Sequence, residues 1–496
     1  MKKADAAFSR CRYRVFVYPR PLEPPPCVVE GGIGSRYAGT EGVFAFNSST
    51  NTCQCHVPAM NTSTATRATG ELGDPVELKC QLFGAPAGGE QYGSRYTSVH
   101  PMALAHLVHY RVLNSRCRTL LPSEATLFLL PLYSMKRASG GADDRVECAE
   151  MLGTLRRWRS EFATPHGVPY MDRHDGYDHF VVASKSMWPM DSCRVLFGQS
   201  PSIGHALRIG MDGGPSIAWK IDATGKSKRL AFNYSDPADY LTVPSVGAAH
   251  GRMGLSVAES LSHERRITAS IFTLACCHAN WQQALELRHV LVKQCSMASA
   301  GMRFVRPRAS RQLHPVCHNA TCACAAVQRG AGASIPSHAT MPGIRASALA
   351  LYLNSTFCLM PAGDWPSRTP AIVDAMACGC IPVFFHSAQL ELWPAHLGGW
   401  LRDASVFFDY RQVINGSVHV VDQLQAISPD RIQAMRRHLH ANLHRIVYSH
   451  ADDDSAMGRS ENLEHAREDA WGITLQHMQQ RLRVRLREYA VAHASR

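Results

Sequence analysis

The segment spanning residues 354–385 constrains the fold more than any other part of the chain, because it reads as a strand, a polar loop, a helix and a second strand. Residues 356–360 form a short apolar run that stops at a proline and a glycine, as a buried parallel strand does. Thr369 and Pro370 mark a helix start, with a hydroxyl cap and a proline in the first turn. Gly379 fits the left-handed position that closes the helix, and a second apolar run follows it. A β-α-β unit of this kind places its loop at the carboxyl end of a parallel sheet, where α/β proteins bind ligands.

The loop of this unit has the chemistry of an anion site. Free amides at a helix N-terminus carry partial positive charge, and Ser367, Arg368 and Thr369 add hydrogen-bond donors and a full charge beside them. Asp374 lies one turn into the helix, where its carboxylate is placed to accept hydrogen bonds from a ribose. The residues alone therefore predict a nucleotide or sugar-phosphate site. The alternative is an ordinary capped helix in an α/β core.

A longer motif in the same segment carries a family resemblance. It consists of Ser355-x-Phe-Cys-Leu, Pro361-x-Gly-Asp364, Asp374-Ala and Gly379-Cys-Ile-Pro-Val383. This motif resembles the donor-site signature of the exostosin-like glycosyltransferases. The adjoining Phe384-Phe385-His386 resembles the plant and algal branch that includes xyloglucan galactosyltransferases. Two departures stand out: the loop is one residue longer than in the family, and Pro370 stands where the family has Arg, Ser or Thr.

The resemblance implies a fold and a reaction. The fold is α/β with GT-B architecture, in which two Rossmann-like domains face each other across a cleft. The reaction moves a sugar from a nucleoside-diphosphate sugar, expected to be a UDP-sugar, to a polysaccharide or a glycoprotein glycan, with inversion. No Asp-x-Asp motif stands at a predicted strand end, so we expect no metal ion and no cofactor beyond the donor. The donor-binding residues implied in the loop and helix are Gly363, Asp364, Ser367, Arg368 and Asp374.

Arginines near the start of the second domain extend the expected donor site. In the family an arginine precedes the first strand of this domain, and Arg265 or Arg266 fills that position as a charge for the diphosphate. Arg288, in the following helix, matches another family arginine, and its alternative is a solvated helix face. Ala275 stands where the family has glycine, which would crowd the approach of the backbone to a nucleotide.

A second informative block covers residues 169–182. It resembles the family pattern Tyr-x-Asn-Arg-x-x-Gly-x-Asp-His-Phe, with Asp172 in place of the asparagine. Transfer with inversion requires a base that takes a proton from the acceptor hydroxyl, and Asp178 and His179 are the candidate catalytic residues. In the alternative, this pair caps turns and ties the loop down.

The length of 496 residues predicts two domains. We expect an N-terminal, acceptor-side Rossmann-like domain over residues 1–245, with an irregular insertion at about 22–90. A C-terminal Rossmann-like domain that binds the nucleotide sugar follows over residues 246–450. Residues 451–496 form a C-terminal helix, which in this family's architecture crosses back to the first domain.

Charge and cysteine content indicate the partners and the compartment. The formal net charge of +12 favours anionic partners, and the scattered Lys and Arg residues argue against nucleic acid. Seventeen cysteines predict disulfides and so an oxidising compartment. No apolar run of eighteen residues and no signal peptide is visible, so the expected location, the Golgi lumen or membrane, comes from the resemblance. The expected partners are a nucleotide sugar, a glycan acceptor and other glycosyltransferases.

Two other functions remain open from the sequence. A non-catalytic member of the family would keep the fold and bind glycan or a partner enzyme, and Ala275, Pro370 and the longer loop favour it. A basic nucleotide-binding protein of the cytosol would have free thiols and unused glycosylation sequons.

Overall fold

A computed structural model describes a large part of the 496-residue chain. The described residues are 13–20, 43–47, 52–56, 104–132 without 114 and 116, 142–182, 205–211, 219–221, 227–229, 240–247, 262–271, 282–297, 302–304, 349–362 without 350, 369–448 and 469–494. The predicted loop residues Gly363, Asp364, Ser367 and Arg368, as well as Ala275, lie outside this part of the chain.

The first domain is built on a six-stranded sheet in the order β10-β7-β6-β5-β1-β4, in which every pairing is parallel. Its strands are short and almost wholly buried, as expected when helices cover both faces of a parallel sheet. The strands are β1 (Val15–Val17), β4 (Arg118–Thr119), β5 (Leu127–Leu130), β6 (His179–Val182), β7 (Leu207–Gly210) and β10 (Tyr240–Thr242).

The second domain is built on a five-stranded parallel sheet in the order β12-β11-β13-β14-β15. Its strands are β11 (Ile267–Ile271), β12 (Met302–Phe304), β13 (Ser355–Met360), β14 (Ile381–Phe384) and β15 (Val406–Phe407). A buried disulfide joins Cys358 in β13 to Cys380, the residue directly before the neighbouring strand β14.

Ten α-helices are found in the described part of the chain. They are α1 (Leu104–Leu113), α2 (Ala142–Glu161), α3 (Gln282–Met297), α4 (Thr369–Ala377), α5 (Pro394–Leu397), α6 (Trp400–Asp403), α7 (Tyr410–Ile414), α8 (Val420–Gln425), α9 (Pro429–Asn442) and α10 (Ala470–Ala494). In the first domain α1 and α10 cover one face of the sheet and α2 covers the other. No described helix combines the length and apolar character needed to cross a membrane.

The described part of the segment spanning residues 354–385 folds as the sequence predicts. Strand β13, helix α4 and strand β14 follow one another in the predicted order and form a β-α-β unit with parallel strands, in which Thr369 is the first helical residue. Gly379 has φ 68°, the left-handed conformation expected for the residue that closes the helix. The two parallel sheets confirm the α/β prediction and fit the GT-B architecture.

The predicted irregular insertion at 22–90 contains a regular element. Strands β2 (Val43–Asn47) and β3 (Thr52–His56) form an antiparallel hairpin, and outside the insertion β8 (Trp219–Ile221) and β9 (Ser227–Arg229) form a second antiparallel pair. The expectation of a stretch without secondary structure is therefore wrong here. Alternating aromatic and small residues in Val43–Asn47 favour a strand, although turn-forming residues on both sides obscure the pattern.

Three elements join the two domains. The helix α10 follows the second domain but buries Trp471, Leu475 and Met478 in the core of the first. The indole N–H of Trp393 donates to the Met211 carbonyl at 3.1 Å, and the Tyr448 hydroxyl donates to the Pro244 carbonyl at 2.7 Å. Met211 and Pro244 follow β7 and β10, so the carboxyl ends of the first sheet face the second domain.

Candidate active site

A buried glutamine holds the carboxyl ends of the two central strands of the second domain in place. The Gln389 side chain accepts hydrogen bonds from the amides of Phe385 and His386 at 2.9 and 3.0 Å, and it donates to the Met360 carbonyl at 2.9 Å. Gln389 is fully buried, so these bonds are shielded from water. The last residue of β13, Met360, is therefore fixed directly beside the residues that follow β14.

Arg288 brings positive charge to the base of this loop. Its guanidinium donates to the Ala362 carbonyl at 2.7 Å, one residue before the loop begins. The side chain is 8% exposed, so the alternative of a solvated helix face is wrong. Helix α3 places it there because Leu287 and Leu291 anchor the adjoining face of the helix in the core.

His386 follows β14 at the carboxyl end of the second sheet. Its imidazole stacks on the Tyr410 ring, with centroids 5.7 Å apart, and its Nδ1 accepts a hydrogen bond from the Ala388 amide at 3.1 Å. Burial, together with the charge of Arg411, lowers the pKa of His386 below its ordinary value, so the ring is neutral near pH 7. A neutral ring whose Nδ1 accepts carries its proton on Nε2, which makes Nε2–H a hydrogen-bond donor. The site predicted from the sequence did not include His386, although this residue directly follows the Phe384-Phe385 pair of the motif.

Asp374 lies in the second turn of α4 and faces the first domain. Its side chain is 7% exposed, and a Cβ built on Gly247 would come within 2.6 Å of its Oδ1. Gly247 belongs to the segment that leaves the carboxyl end of β10. Val246 beside it is buried in the core of the first domain, so this segment packs with the first domain, although the predicted boundary assigns residues from 246 onward to the second. The carboxylate therefore lies at the junction of the two domains.

Arg265 and Arg266 lie at the other end of the second sheet. Arg265 donates three short hydrogen bonds to backbone carbonyls, those of Tyr352 at 2.8 Å, Ser355 at 2.6 Å and Cys378 at 2.6 Å. These carbonyls mark the amino ends of β13 and β14. The five residues of β11 separate Arg265 from the carboxyl ends by about 16 Å. The geometry gives Arg265 a structural role, and Arg266 is exposed at the same end of the sheet. Diphosphate binding by either arginine stays a prediction, and the positions of the two residues do not support it.

The predicted catalytic pair forms the centre of a buried hydrogen-bond network. His179 Nδ1 bonds Asp178 Oδ1 at 2.7 Å, and His179 Nε2 bonds the Tyr18 hydroxyl at 3.1 Å. The imidazole also stacks on the Phe128 ring at 4.6 Å between centroids. Burial raises the pKa of Asp178, but hydrogen bonds and charge from His179 and Arg173 outweigh it and leave this pKa below its ordinary value.

A strained turn directs Arg173 into the same network. His174 and Asp175 both have φ 53°, a left-handed conformation that costs a residue with a Cβ about 1 kcal/mol. Arg173 then bonds Asp178 Oδ2 through two nitrogens, at 2.7 and 2.9 Å, and the Ala125 carbonyl at 3.1 Å. These charge-assisted bonds hold the turn against the strain.

The position of this network favours the alternative in which Asp178 and His179 tie the loop down. Both residues are 1% exposed, and they lie at the amino end of β6. The carboxyl edge of the sheet is three residues away, or about 10 Å. An acceptor hydroxyl would have to reach a sealed interior to meet either side chain. A catalytic role for the pair stays a prediction without geometric support.

Comparison with known families decides what kind of protein this is. The family model described as the exostosin GT47 domain matches residues 43–424. The chain belongs to the exostosin GT47 family. The match runs from the β2–β3 hairpin into α8, so it includes the second sheet, the first sheet except β1, and the segment from β13 to β14 of this GT47 chain.

The curated relatives compared with this chain are named as xyloglucan glycosyltransferases. The GT47 chain is 25% identical over 357 residues to xyloglucan galactosyltransferase XLT2 of Arabidopsis thaliana, covering 69% of this chain and 57% of that protein. It is 24% identical over 389 residues to xyloglucan-specific galacturonosyltransferase 1 of the same plant, covering 74% and 49%. It is 31% identical over 104 residues to xyloglucan galactosyltransferase MUR3, covering 21% and 17%. The chain thus spans about half the length of the first two relatives.

Solved structures show only distant similarity. The glycosyltransferase of kitacinnamycin aligns with a TM-score of 0.26 and 13% identity, covering 73% of this chain and 85% of that one. The calicheamicin glycosyltransferase CalG4 aligns with a TM-score of 0.26 and 14% identity, covering 66% and 83%. Overlap at this level adds no detail to the site.

Proposed function

We propose that this GT47 chain is a glycosyltransferase that moves a sugar from a nucleoside-diphosphate sugar, specifically a UDP-sugar, to a glycan acceptor. The observation that carries the proposal is the placement of Arg288, His386 and Asp374. Arg288 contacts Ala362 and His386 follows β14, both at the carboxyl end of the second sheet. Asp374 lies in α4, which connects β13 and β14, and meets the first domain at Gly247. The carboxyl end of the sheet is the region where α/β proteins bind nucleotides.

The chemistry of the three side chains suits a nucleotide sugar. The Arg288 guanidinium supplies a full positive charge to a diphosphate held by the loop and by the amides at the start of α4. The Asp374 carboxylate accepts hydrogen bonds from a ribose. His386 donates through Nε2, and its neutral ring suits a polar sugar hydroxyl or a phosphate oxygen. Arg288 thus takes the role that the sequence assigned to Arg265 or Arg266.

The reaction proposed is transfer with inversion and without a metal ion. Protein cations and helix amides would then offset the charge that develops on the leaving UDP. The acceptor proposed is a neutral wall polysaccharide of the xyloglucan type, because the relatives are named as xyloglucan glycosyltransferases. A glycoprotein glycan is the second acceptor class to include in the assay.

The compartment proposed is the lumen of the Golgi. The Cys358–Cys380 disulfide supports it, since a buried disulfide forms in an oxidising compartment. Association with the Golgi membrane and with other glycosyltransferases belongs to the same proposal.

The test is a donor panel, with UDP release measured in the presence of xyloglucan oligosaccharides. We expect turnover with at least one UDP-sugar, and a loss of about 100-fold in kcat/KM for Arg288→Ala and for Asp374→Ala. Arg266→Ala is the matched control, because this arginine is exposed at the opposite end of the sheet. Full turnover in both site variants would refute the site.

One observation favours the non-catalytic alternative. The residues predicted as the base, Asp178 and His179, are sealed in the interior, so the described part of the first domain offers neither of them to an acceptor. This alternative expects UDP or glycan binding without UDP release. Measuring UDP affinity by calorimetry alongside the turnover assay separates the two functions.

A further inference from the structure

We infer that Gly247 is a positioning residue, one that sets where the Asp374 carboxylate lies and so controls donor affinity from the other domain. The inference rests on the proposed function, because it takes the donor to bind at Asp374. Gly247 leaves the carboxyl end of β10 in the first domain, whereas Asp374 belongs to α4 in the second.

The two residues approach so closely that any Cβ at residue 247 would displace a neighbouring group. A Cβ on Gly247 would lie 2.6 Å from Asp374 Oδ1, 2.8 Å from Val373 Cγ1 and 3.4 Å from Val373 Cβ. The first two distances are far inside the normal contact of about 3.5 Å. Gly247 does not need a left-handed backbone, since it is not among the glycines with positive φ. The requirement for glycine is therefore one of space between two domains.

The first-domain segment that carries Gly247 has little freedom to retreat. Val246 is fully buried in the first core. The Val243 amide donates to the Gly210 carbonyl at 2.9 Å, and the buried Tyr448 hydroxyl donates to the Pro244 carbonyl at 2.7 Å. Three anchors within four residues, at 243, 244 and 246, thus hold this segment in the first domain.

On the second-domain side, Gly247 faces two groups that differ in how readily they move, the Val373 side chain and the Asp374 carboxylate. Val373 is 1% exposed within the second core, and a valine in a helix has a single strongly preferred rotamer. The Asp374 carboxylate is the far end of a short side chain and can rotate. An added methyl group at residue 247 would therefore displace the carboxylate first. A shift of the carboxylate of this kind, even below 1 Å, weakens the binding of any ligand that the carboxylate orients.

The experiment is a double-mutant cycle between Gly247→Ala and Asp374→Ala, with UDP affinity as the readout and kcat and both KM values measured beside it. We expect Gly247→Ala to raise the Kd for UDP and the donor KM by about tenfold, with the acceptor KM within about twofold of wild type. In the Asp374→Ala background the same substitution should change the Kd for UDP by less than about twofold, because the group through which it acts is absent. Gly399→Ala is the matched control, since a Cβ there meets nothing within 4 Å and Gly399 lies in the same domain as Asp374.

The outcomes separate this inference from the proposed function. Failure of the wild-type chain to bind UDP or turn over a donor contradicts the proposed function. Wild-type binding with additive effects in the cycle, or an unchanged Kd in Gly247→Ala, overturns the inference alone. If Gly247→Ala melts below the assay temperature, the cycle is repeated with Val373→Ala in every member, which removes the methyl group at 2.8 Å and leaves the carboxylate contact.

Discussion

Replacing Arg265 distinguishes a structural arginine from one that binds diphosphate. The change Arg265→Ala removes three hydrogen bonds to the carbonyls of Tyr352, Ser355 and Cys378. All three residues that supply these carbonyls are at most 3% exposed, so water has little access to them. The side chain is also the feature that ties the helical turn before β13 to the end of α4.

The expected loss follows from the number of carbonyls left without a donor. Each buried group that loses its partner costs about 1–3 kcal/mol. Allowing for relaxation, we expect the free energy of unfolding of the second domain to fall by about 4 kcal/mol. For a domain of this size, that loss lowers Tm by about 8–16 °C.

The assay is a thermal melt combined with donor kinetics below the transition, with Arg266→Ala as the matched control. Arg266 is exposed, so its removal should change the free energy of unfolding by no more than about 0.5 kcal/mol. Arg265→Ala that is still folded should keep its donor KM within about twofold of wild type. An unchanged Tm with a large rise in donor KM would refute the reasoning and restore the diphosphate role of Arg265.

Three further predictions concern the buried groups. Burial is the main cause that lowers the pKa of His109 to about 4 and that of His396 to about 3, so below pH 6.5 the unfolded state binds more protons than the folded state. Each histidine should therefore reduce the free energy of unfolding by about 2 kcal/mol between pH 7 and pH 5, as measured by urea denaturation. A free energy of unfolding that does not change over this pH range would contradict the prediction. His179→Gln should lower Tm by more than 4 °C while protein that remains folded keeps a pH profile of kcat like that of wild type, whereas a selective loss of kcat would support catalysis by this residue. Cys358→Ser, or reduction of the Cys358–Cys380 disulfide, should cost about 2–4 kcal/mol in a chemical melt, and equal melts with and without reductant would argue against the bond.

The sequence was informative wherever local chemistry alone selects a structure. The order of strand, loop, helix and strand in residues 354–385 follows from two apolar runs, a capped helix start and Gly379. Each of these signals acts over a few neighbouring residues. The family motif lies in the same stretch for the same reason. Fold class and family were therefore accessible before any coordinates.

The roles assigned to individual charged residues stay predictions, because burial is a property of the packed chain and not of a local pattern. Arg265, Asp178 and His179 have the residue types and motif positions of functional groups, yet each bonds groups far away in sequence or sealed from solvent. Arg288 looked equally like a solvated helix residue, but α3 turns it towards the Ala362 carbonyl. Nothing in a local pattern reports which edge of a sheet a side chain reaches.

What the sequence by itself determined is the set of elements and the family, because strand periodicity, caps and the motif depend on neighbours along the chain. What only the tertiary structure decided is which polar groups meet. Gly247 and Asp374 are separated by more than a hundred residues, and the need for glycine there arises only when two domains close to van der Waals contact. Contacts between distant residues depend on how the sheets and helices pack, and packing follows from the summed burial of both cores rather than from any one segment.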